Sequence, residues 1–181
     1  GVHRSRRRHR QHRHLRLGET MIALITTFFG AGRLRPAPGT WGSLAALPAA
    51  LGLFYLVGLW GFLALTVAVF FIGWWATHIH TQGAEDHDPS YIVIDEVAGQ
   101  WIALWPIMIG ASHVGADVTA LWPGWVAALV LFRLFDITKP GPIGWADRRG
   151  DALGVMLDEV IAGVFAAIGV VILAGLSHAV M

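Results

Sequence analysis

The sequence predicts an all-α, integral membrane bundle of about four to five short hydrophobic helices with one polar, cytoplasm-facing site. Three observations predict it. The 181-residue chain is 55% hydrophobic and 14% charged, with a mean hydropathy of +0.59, whereas soluble domains carry about a quarter charged residues. Its apolar residues gather into five runs, each closed by Gly, Pro or charge. Nearly every polar residue of the body falls in three stretches that alternate with those runs.

Residues 1–20 form a segment of their own. Seven of the thirteen Lys and Arg lie between Arg4 and Arg16, so the body from Leu17 onward holds six basic and twelve acidic residues. This Arg- and His-rich stretch has no apolar periodicity and is expected to be a disordered basic tail or an extension upstream of the natural start. A solvated tail near anionic headgroups is expected, with no nucleic-acid partner. Residues 21–181 form the single membrane domain. The apolar runs are Leu44 to Val57, Gly61 to Thr77, Val97 to Ala111, Trp122 to Phe135 and Val160 to Leu176. A full span needs about 20 residues, so several reach that length only with flanking small residues. Gly58-Leu59-Trp60-Gly61 predicts a tight turn that folds the first two runs into a helical hairpin. Trp41, Trp60, Trp74, Trp75, Trp101, Trp105, Trp122 and Trp125 stand near run ends, as an aromatic belt would.

Charge sets the orientation. The linkers before Leu44 and from Arg133 to Gly150 carry the Lys and Arg, and Ser112 to Leu121 carries none, which places the basic linkers in the cytoplasm. If the hairpin crosses twice and each later run once, residues 28–43, 78–96 and 136–159 emerge together on that side. The expected location is the cytoplasmic (inner) membrane, multi-pass.

The first polar stretch, Phe29 to Ser43, holds four glycines and two prolines and predicts a loop rather than helix. Such a loop before a helix offers backbone N–H groups to an anion, and Arg33, Arg35, Thr40 and Ser43 stand beside them. It is no Walker loop, since Gly-Lys-Ser/Thr is missing. An interfacial loop with Ser43 as an N-cap is the structural alternative.

The second stretch leads into Val93-Ile94-Asp95-Glu96-Val97, and the third contains a near echo, Met156-Leu157-Asp158-Glu159-Val160. Two carboxylates at the mouth of an apolar helix are costly to bury unless paired or bound to a cation, and carboxylate oxygens suit a hard cation such as Mg2+. A favourable position near the positive helix N-terminus explains one acidic residue comfortably and a repeated pair poorly. Asp86-His87-Asp88 lacks the apolar strand that an aspartyl-phosphate motif follows. In the third stretch Arg133 and Asp136 share a helical face, Arg133 sits inside an apolar run, and Lys139 precedes Pro140 as a second phosphate contact. Without cysteine there is no disulfide, zinc–thiolate site or thiolate nucleophile, which excludes cysteine-dependent phosphatases. Carboxylates for a metal, cations for phosphate and a Gly-rich loop make phosphate-ester or phosphoryl-transfer chemistry the economical reading. Spacing alone leaves phosphatase and phosphotransferase both open.

At these stretches the chain resembles the phosphatidylglycerophosphatase A family. FGAGRLRPAPGTWGS is similar to that family's G-x-G-x-x-P-x-A-P-G-T-x-G-S loop, and DPSYIVIDEVAGQW to its D-P-x-x-I-V-I-D-E-x-x-G-x-W segment. FRLFDITKPGPI and GVMLDEVIAG are similar to its F-R-x-F-D-x-x-K-P-x-P-I and G-x-M-x-D-D-x-x-A-G segments. The four motifs occur in order across residues 28–164. Glu159 departs from the family's second Asp and still offers a carboxylate, one methylene longer; Arg149-Gly150-Asp151-Ala152 replaces a more Gly-rich approach. The resemblance implies a Mg2+-dependent membrane enzyme that hydrolyses phosphatidylglycerophosphate, its phospholipid partner, to phosphatidylglycerol and phosphate. It implies Asp95, Glu96, Asp136, Asp158 and Glu159 as metal ligands, the first four also as catalytic groups. It implies Arg33, Thr40, Ser43, Arg133 and Lys139 as phosphate contacts. His78, His80 or His87 could protonate the leaving glycerol oxygen.

Two rivals remain. A phosphotransferase on CDP-activated lipids should show D-x-x-D-G-x-x-A-R, which Asp147-Arg148-Arg149-Gly150-Asp151 does not match. A cation transporter should place its carboxylates mid-span, whereas here they stand at run ends.

Overall fold

The computed structural model describes residues 17–83 and 88–180, and among these every regular element is helical. In chain order they are α1 (Leu17–Thr26), a 3-10 turn (Ala31–Arg33), α2 (Pro38–His80), α3 (Ile94–Val114), a 3-10 turn (Val118–Leu121), α4 (Trp122–Thr138), α5 (Pro142–Asp147) and α6 (Ala152–Val180). Most of the predicted basic tail lies outside the described residues; Leu17–Thr20 already belong to α1, whose exposed Leu17, Met21 and Leu24 repeat at helical spacing.

The hairpin is present: α2, 43 residues from Pro38 to His80, consists of two helices that meet at a kink. Gly58 interrupts it with φ 70° and ψ −176°, a conformation that side chains disfavour. Gly42 and Gly73 abut the adjacent residues Val93 and Ile94. In a straight helix they would stand about 46 Å apart. The Trp101 indole likewise donates to the Ala46 carbonyl at 2.9 Å and packs on Phe62 with ring centroids 5.6 Å apart. The two halves therefore lie side by side, closed by the turn that Trp60 marks.

Three helices are long and apolar enough to cross a membrane: Pro38–His80, Val118–Thr138 and Ala152–Ser177. The chain is a membrane protein. α3 is the exception among the predicted runs, because it forms the axis of the bundle. Val97 through Leu104 are buried without interruption between α2, α4 and α6, as expected of a helix apolar all round. Its 21 residues rise about 31 Å, close to the thickness of a bilayer's hydrocarbon.

Two details differ from expectation. The first polar stretch is not all loop: Pro38 occupies the first turn of α2, where its missing N–H is harmless, and Gly39 to Ser43 continue as helix. Among the tryptophans, Trp41, Trp74, Trp75 and Trp145 are exposed at one end and Trp60 and Trp122 at the other. Trp101 and Trp105 point inward instead, their indole N–H groups on the Ala46 carbonyl and the Thr66 hydroxyl.

Candidate active site

The echoed carboxylate pairs meet because of two glycines. Gly99 lies one turn beyond Asp95, and Gly163 one turn beyond Glu159. A Cβ on Gly163 would stand 3.0 Å from the Gly99 carbonyl carbon, and one on Gly99 would stand 2.9 Å from that of Glu159 and 2.6 Å from the Phe132 ring. The parallel helices α3 and α6 thus touch backbone to backbone, as small residues permit in membranes. One turn from that crossing, toward the end where both helices begin, the two pairs face each other: Asp95 interacts with Glu96 and Glu159, and Glu159 with Glu96 and Asp158.

α4 and the segment after it complete the ring. Asp136 lies against both Glu96 and Glu159. Arg133 Nη1 stands 2.6 Å from Asp136 Oδ2. The wall opposite is the first turn of α2, where a Cβ on Gly39 would stand 3.3 Å from Glu96 Cδ and 3.2 Å from Arg133 Nη1. A side chain there would push the ends of the Glu96 and Arg133 side chains aside. Lys139 ends α4 in the left-handed conformation (φ 44°, ψ 52°) that usually selects Gly or Asn. That turn brings its Nζ to 2.6 Å from both Asp147 of α5 and Asp158 of α6. Burial works against the charge of Lys139, and the two carboxylates outweigh it, holding the amine well above its ordinary range.

The polar atoms of this ring are buried and incompletely satisfied. Asp95, Asp136, Asp158 and Glu159 are each at most 7% exposed, and Asp95 Oδ1, Glu96 Oε2, Glu159 Oε2 and both amide atoms of Gln100 have no hydrogen-bond partner. Native interiors rarely leave such groups unpaired, and several together mark a site that receives something. Among the described residues no three carboxylate or histidine side chains form a ready-made metal cage. The donor set nevertheless fits a hard cation of the Mg2+ type, which uses one or two carboxylates and completes its shell with water and phosphate oxygens.

Residues 24–174 match the family described as phosphatidylglycerophosphatase A. The chain belongs to this family. Similar proteins include phosphatidylglycerophosphatase A of Haemophilus influenzae (37% identity, covering 81% of this chain and 85% of that one). Another is phosphatidylglycerophosphatase A of Escherichia coli (37%, covering 80% and 78%). A Bacteroides thetaiotaomicron protein named, provisionally, phosphatidylinositol-3-phosphatase is equally similar (37%, covering 80% and 88%). No solved structure matches. Membership makes the chain an enzyme, a phosphatase acting on a phosphate monoester.

Of the ten predicted site residues, the structure brings seven together: Asp95, Glu96, Asp136, Asp158, Glu159, Arg133 and Lys139. Thr40 is next to the Gly39 wall and half-buried. Ser43 is buried and its hydroxyl donates to the Gly39 carbonyl at 2.9 Å, so it neither caps the helix nor faces the ring. Arg33 lines a different cavity, with Arg35, His80 and Tyr91. His78 pairs with Gln82 and His80 with the Tyr91 hydroxyl, away from the ring; residue 87 lies outside the described residues. Asp147, Gly39 and Gln100 are site residues that the sequence did not single out. The signal for Gln100 was present, an amide one turn beyond Glu96 on an otherwise apolar helix.

Proposed function

We propose that this membrane phosphatase hydrolyses phosphatidylglycerophosphate to phosphatidylglycerol and inorganic phosphate with Mg2+, at a site facing the cytoplasm. The observation that carries the reading is the ring of five carboxylates with unpaired buried oxygens, flanked by Arg133 and Lys139 at the mouth of a membrane bundle. Anionic oxygens so crowded need a cation, and the flanking positive side chains suit the phosphate that would arrive with it.

One or two of Asp95, Glu96 and Glu159 would hold the Mg2+, with water and phosphate oxygens completing its shell and Asp136 and Asp158 beside them. When bound, the ion offsets the charge of the phosphoryl oxygens and favours ionisation of water. Arg133, ion-paired with Asp136 through Nη1 and without a hydrogen bond at Nε, is placed to contact the phosphoryl group beside the carboxylates. One carboxylate of the ring accepts a proton from the attacking water as its oxygen joins phosphorus and the bond from phosphorus to the glycerol oxygen breaks. The departing oxygen takes up a proton. Lys139 holds Asp158 in position and lends positive charge to the site rim. The six Lys and Arg of the body cluster toward the site end of the bundle and none lies between Ser112 and Leu121, which supports the cytoplasmic orientation.

The test is phosphate release by the detergent-solubilised chain from phosphatidylglycerophosphate, phosphatidylinositol 3-phosphate and phosphatidic acid, with Mg2+ and with EDTA. Release from the first lipid that exceeds the others and stops with EDTA is expected. Fastest release from phosphatidylinositol 3-phosphate would reassign the substrate, and turnover that survives EDTA would remove the metal.

A further inference from the structure

A second polar cavity lies apart from the carboxylate ring. Its volume is about 340 Å³, and Ala23 and Thr27 of the α1 end, Gly32, Arg33, Arg35, His80 and Tyr91 line it. That is roughly eleven times the ~30 Å³ a water takes up in the liquid, enough for a phosphate with part of what it esterifies. Among the described residues no acidic side chain lines it. Among the described residues neither Arg33 nor Arg35 has an ion-pair partner. His80 Nε2 and the Tyr91 hydroxyl, 3.1 Å apart with their rings edge to face, fix the opposite wall.

The backbone that presents the two arginines is held in an unusual shape. Phe28, Phe29 and Gly30 are consecutively left-handed, at φ 42°, 55° and 95°, and the Thr27 hydroxyl donates to the Ala23 carbonyl while accepting from the Gly30 N–H. Two non-glycine residues in that region are strained, a cost that persists only where surroundings enforce it. The Val93 N–H donates to the Thr26 carbonyl and fastens the turn to the segment that leads into Asp95. The segments that supply Ala23, Thr27, Gly32, Arg33 and Arg35 to the cavity also carry exposed apolar residues: Leu17, Met21 and Leu24 on α1, Phe29 at 80% exposure, and Leu34. A ten-residue apolar helix is too short to cross a bilayer, and one with a greasy outer face lies at its surface.

We propose that the Arg33–Arg35–His80–Tyr91 cavity is a second anion site, which takes the phosphodiester of an anionic phospholipid headgroup at the membrane surface. The two guanidinium groups and the Tyr91 hydroxyl donate to the phosphate oxygens, while α1 and Phe29 hold the acyl side at the interface. Arginine forks suit a phosphate better than lysine does, and desolvation by surrounding lipid strengthens the contact. The reading needs only a membrane-surface cavity and does not depend on the reaction assigned to the carboxylates. Tyr91 is four residues from Asp95, at most about 14 Å along extended backbone, so the lipid held here is either the substrate itself, through its diester, or an immediate neighbour.

The experiment is a 31P NMR titration of the purified chain in neutral detergent with dihexanoylphosphatidylglycerol. Saturable broadening is expected with the wild-type chain, with at least about tenfold weaker binding in the R33Q/R35Q double variant. The R33K/R35K variant should recover part of the affinity, which a misfolded chain would not. Competition by inorganic phosphate would identify a bare oxyanion as the ligand. Saturable binding of dihexanoylphosphatidylglycerol that neither inorganic phosphate nor the zwitterionic dihexanoylphosphatidylcholine displaces would identify the anionic headgroup. No saturable binding by the wild-type chain, or equal binding by R33Q/R35Q, overturns the site.

Discussion

The two ends of the bundle handle polar groups in opposite ways. At the far end, where α3 closes on Gly115, Asp117 accepts from the Thr119 N–H at 2.7 Å and from the Tyr55 hydroxyl at 3.0 Å, and also bonds the Thr119 hydroxyl. All three residues are exposed, and each satisfies another. At the near end four carboxylates are buried and a fifth, Glu96, is half-buried, several of their oxygens have no partner, and their charges face one another. One end is organised for its own stability. The other retains unfavourable electrostatics that a metal and a phosphate would relieve, which is the usual relation between an active site and the fold that carries it.

The strongest way to break that contrast is to neutralise one carboxylate. Asp95→Asn keeps the shape, so phosphate release is expected to fall by roughly 10³-fold or more. Because the change removes a buried, like-charged neighbour of Glu96 and Glu159, the metal-free protein should melt higher than wild type. An Asp95→Asn protein that retains turnover, or that is destabilised without metal, would contradict the account of the near end.

The next effect belongs to the crossing. Gly163→Val forces α3 and α6 apart, since any Cβ there meets the Gly99 backbone. Thermal unfolding should show a loss of about 1–3 kcal/mol, and activity should fall even at temperatures where the fold persists, because both carboxylate pairs ride on these helices. Loss of stability with full activity would mean that the close approach serves packing only.

These two regions were not equally legible in the sequence. The echo of Asp95-Glu96 in Asp158-Glu159, the three polar stretches on one side and the Gly58 turn could be read because they follow from local pattern and the alternation of spans. The role of Gly99 and Gly163 could not, since a glycine in an apolar helix gives no sign of which backbone it admits. Nor did local pattern show that α3 is the axis, because periodicity does not distinguish a lipid-facing apolar helix from a protein-facing one. Ser43 misled for a related reason: the hydroxyl looked available, and its own helix had already used it.

Lys139 sharpens the comparison by its pH behaviour. Its two ion pairs raise the folded-state affinity of the amine for its proton, so their contribution is complete below the ordinary lysine value of 10.5 and is lost only as pH rises above it. Lys139→Gln should lower turnover by about 10- to 100-fold at neutral pH. In the wild-type chain, the rate should show no alkaline limb assignable to this residue below pH 10. A limb near pH 8 that disappears in Lys139→Gln would place the amine in a weaker field than the structure gives it.

The smallest effect is expected at the far end. Asp117 is held below the ordinary carboxylate range chiefly by the Thr119 hydroxyl and N–H, with Tyr55 adding to them. A depressed folded-state value means that its contribution is present above the unfolded carboxylate value and is lost as pH falls through the folded one. Asp117→Ala should therefore lower Tm by a few degrees at pH 7, less at pH 3, and change phosphate release by less than twofold. Melting curves at the two pH values, with activity beside them, test whether the ends are independent. If Asp117→Ala depressed turnover as strongly as it moved Tm, the far end would be coupled through α3 to the carboxylate ring. The contrast between a self-satisfied end and an end waiting for its ligand would then describe only the resting geometry, and not how the bundle works.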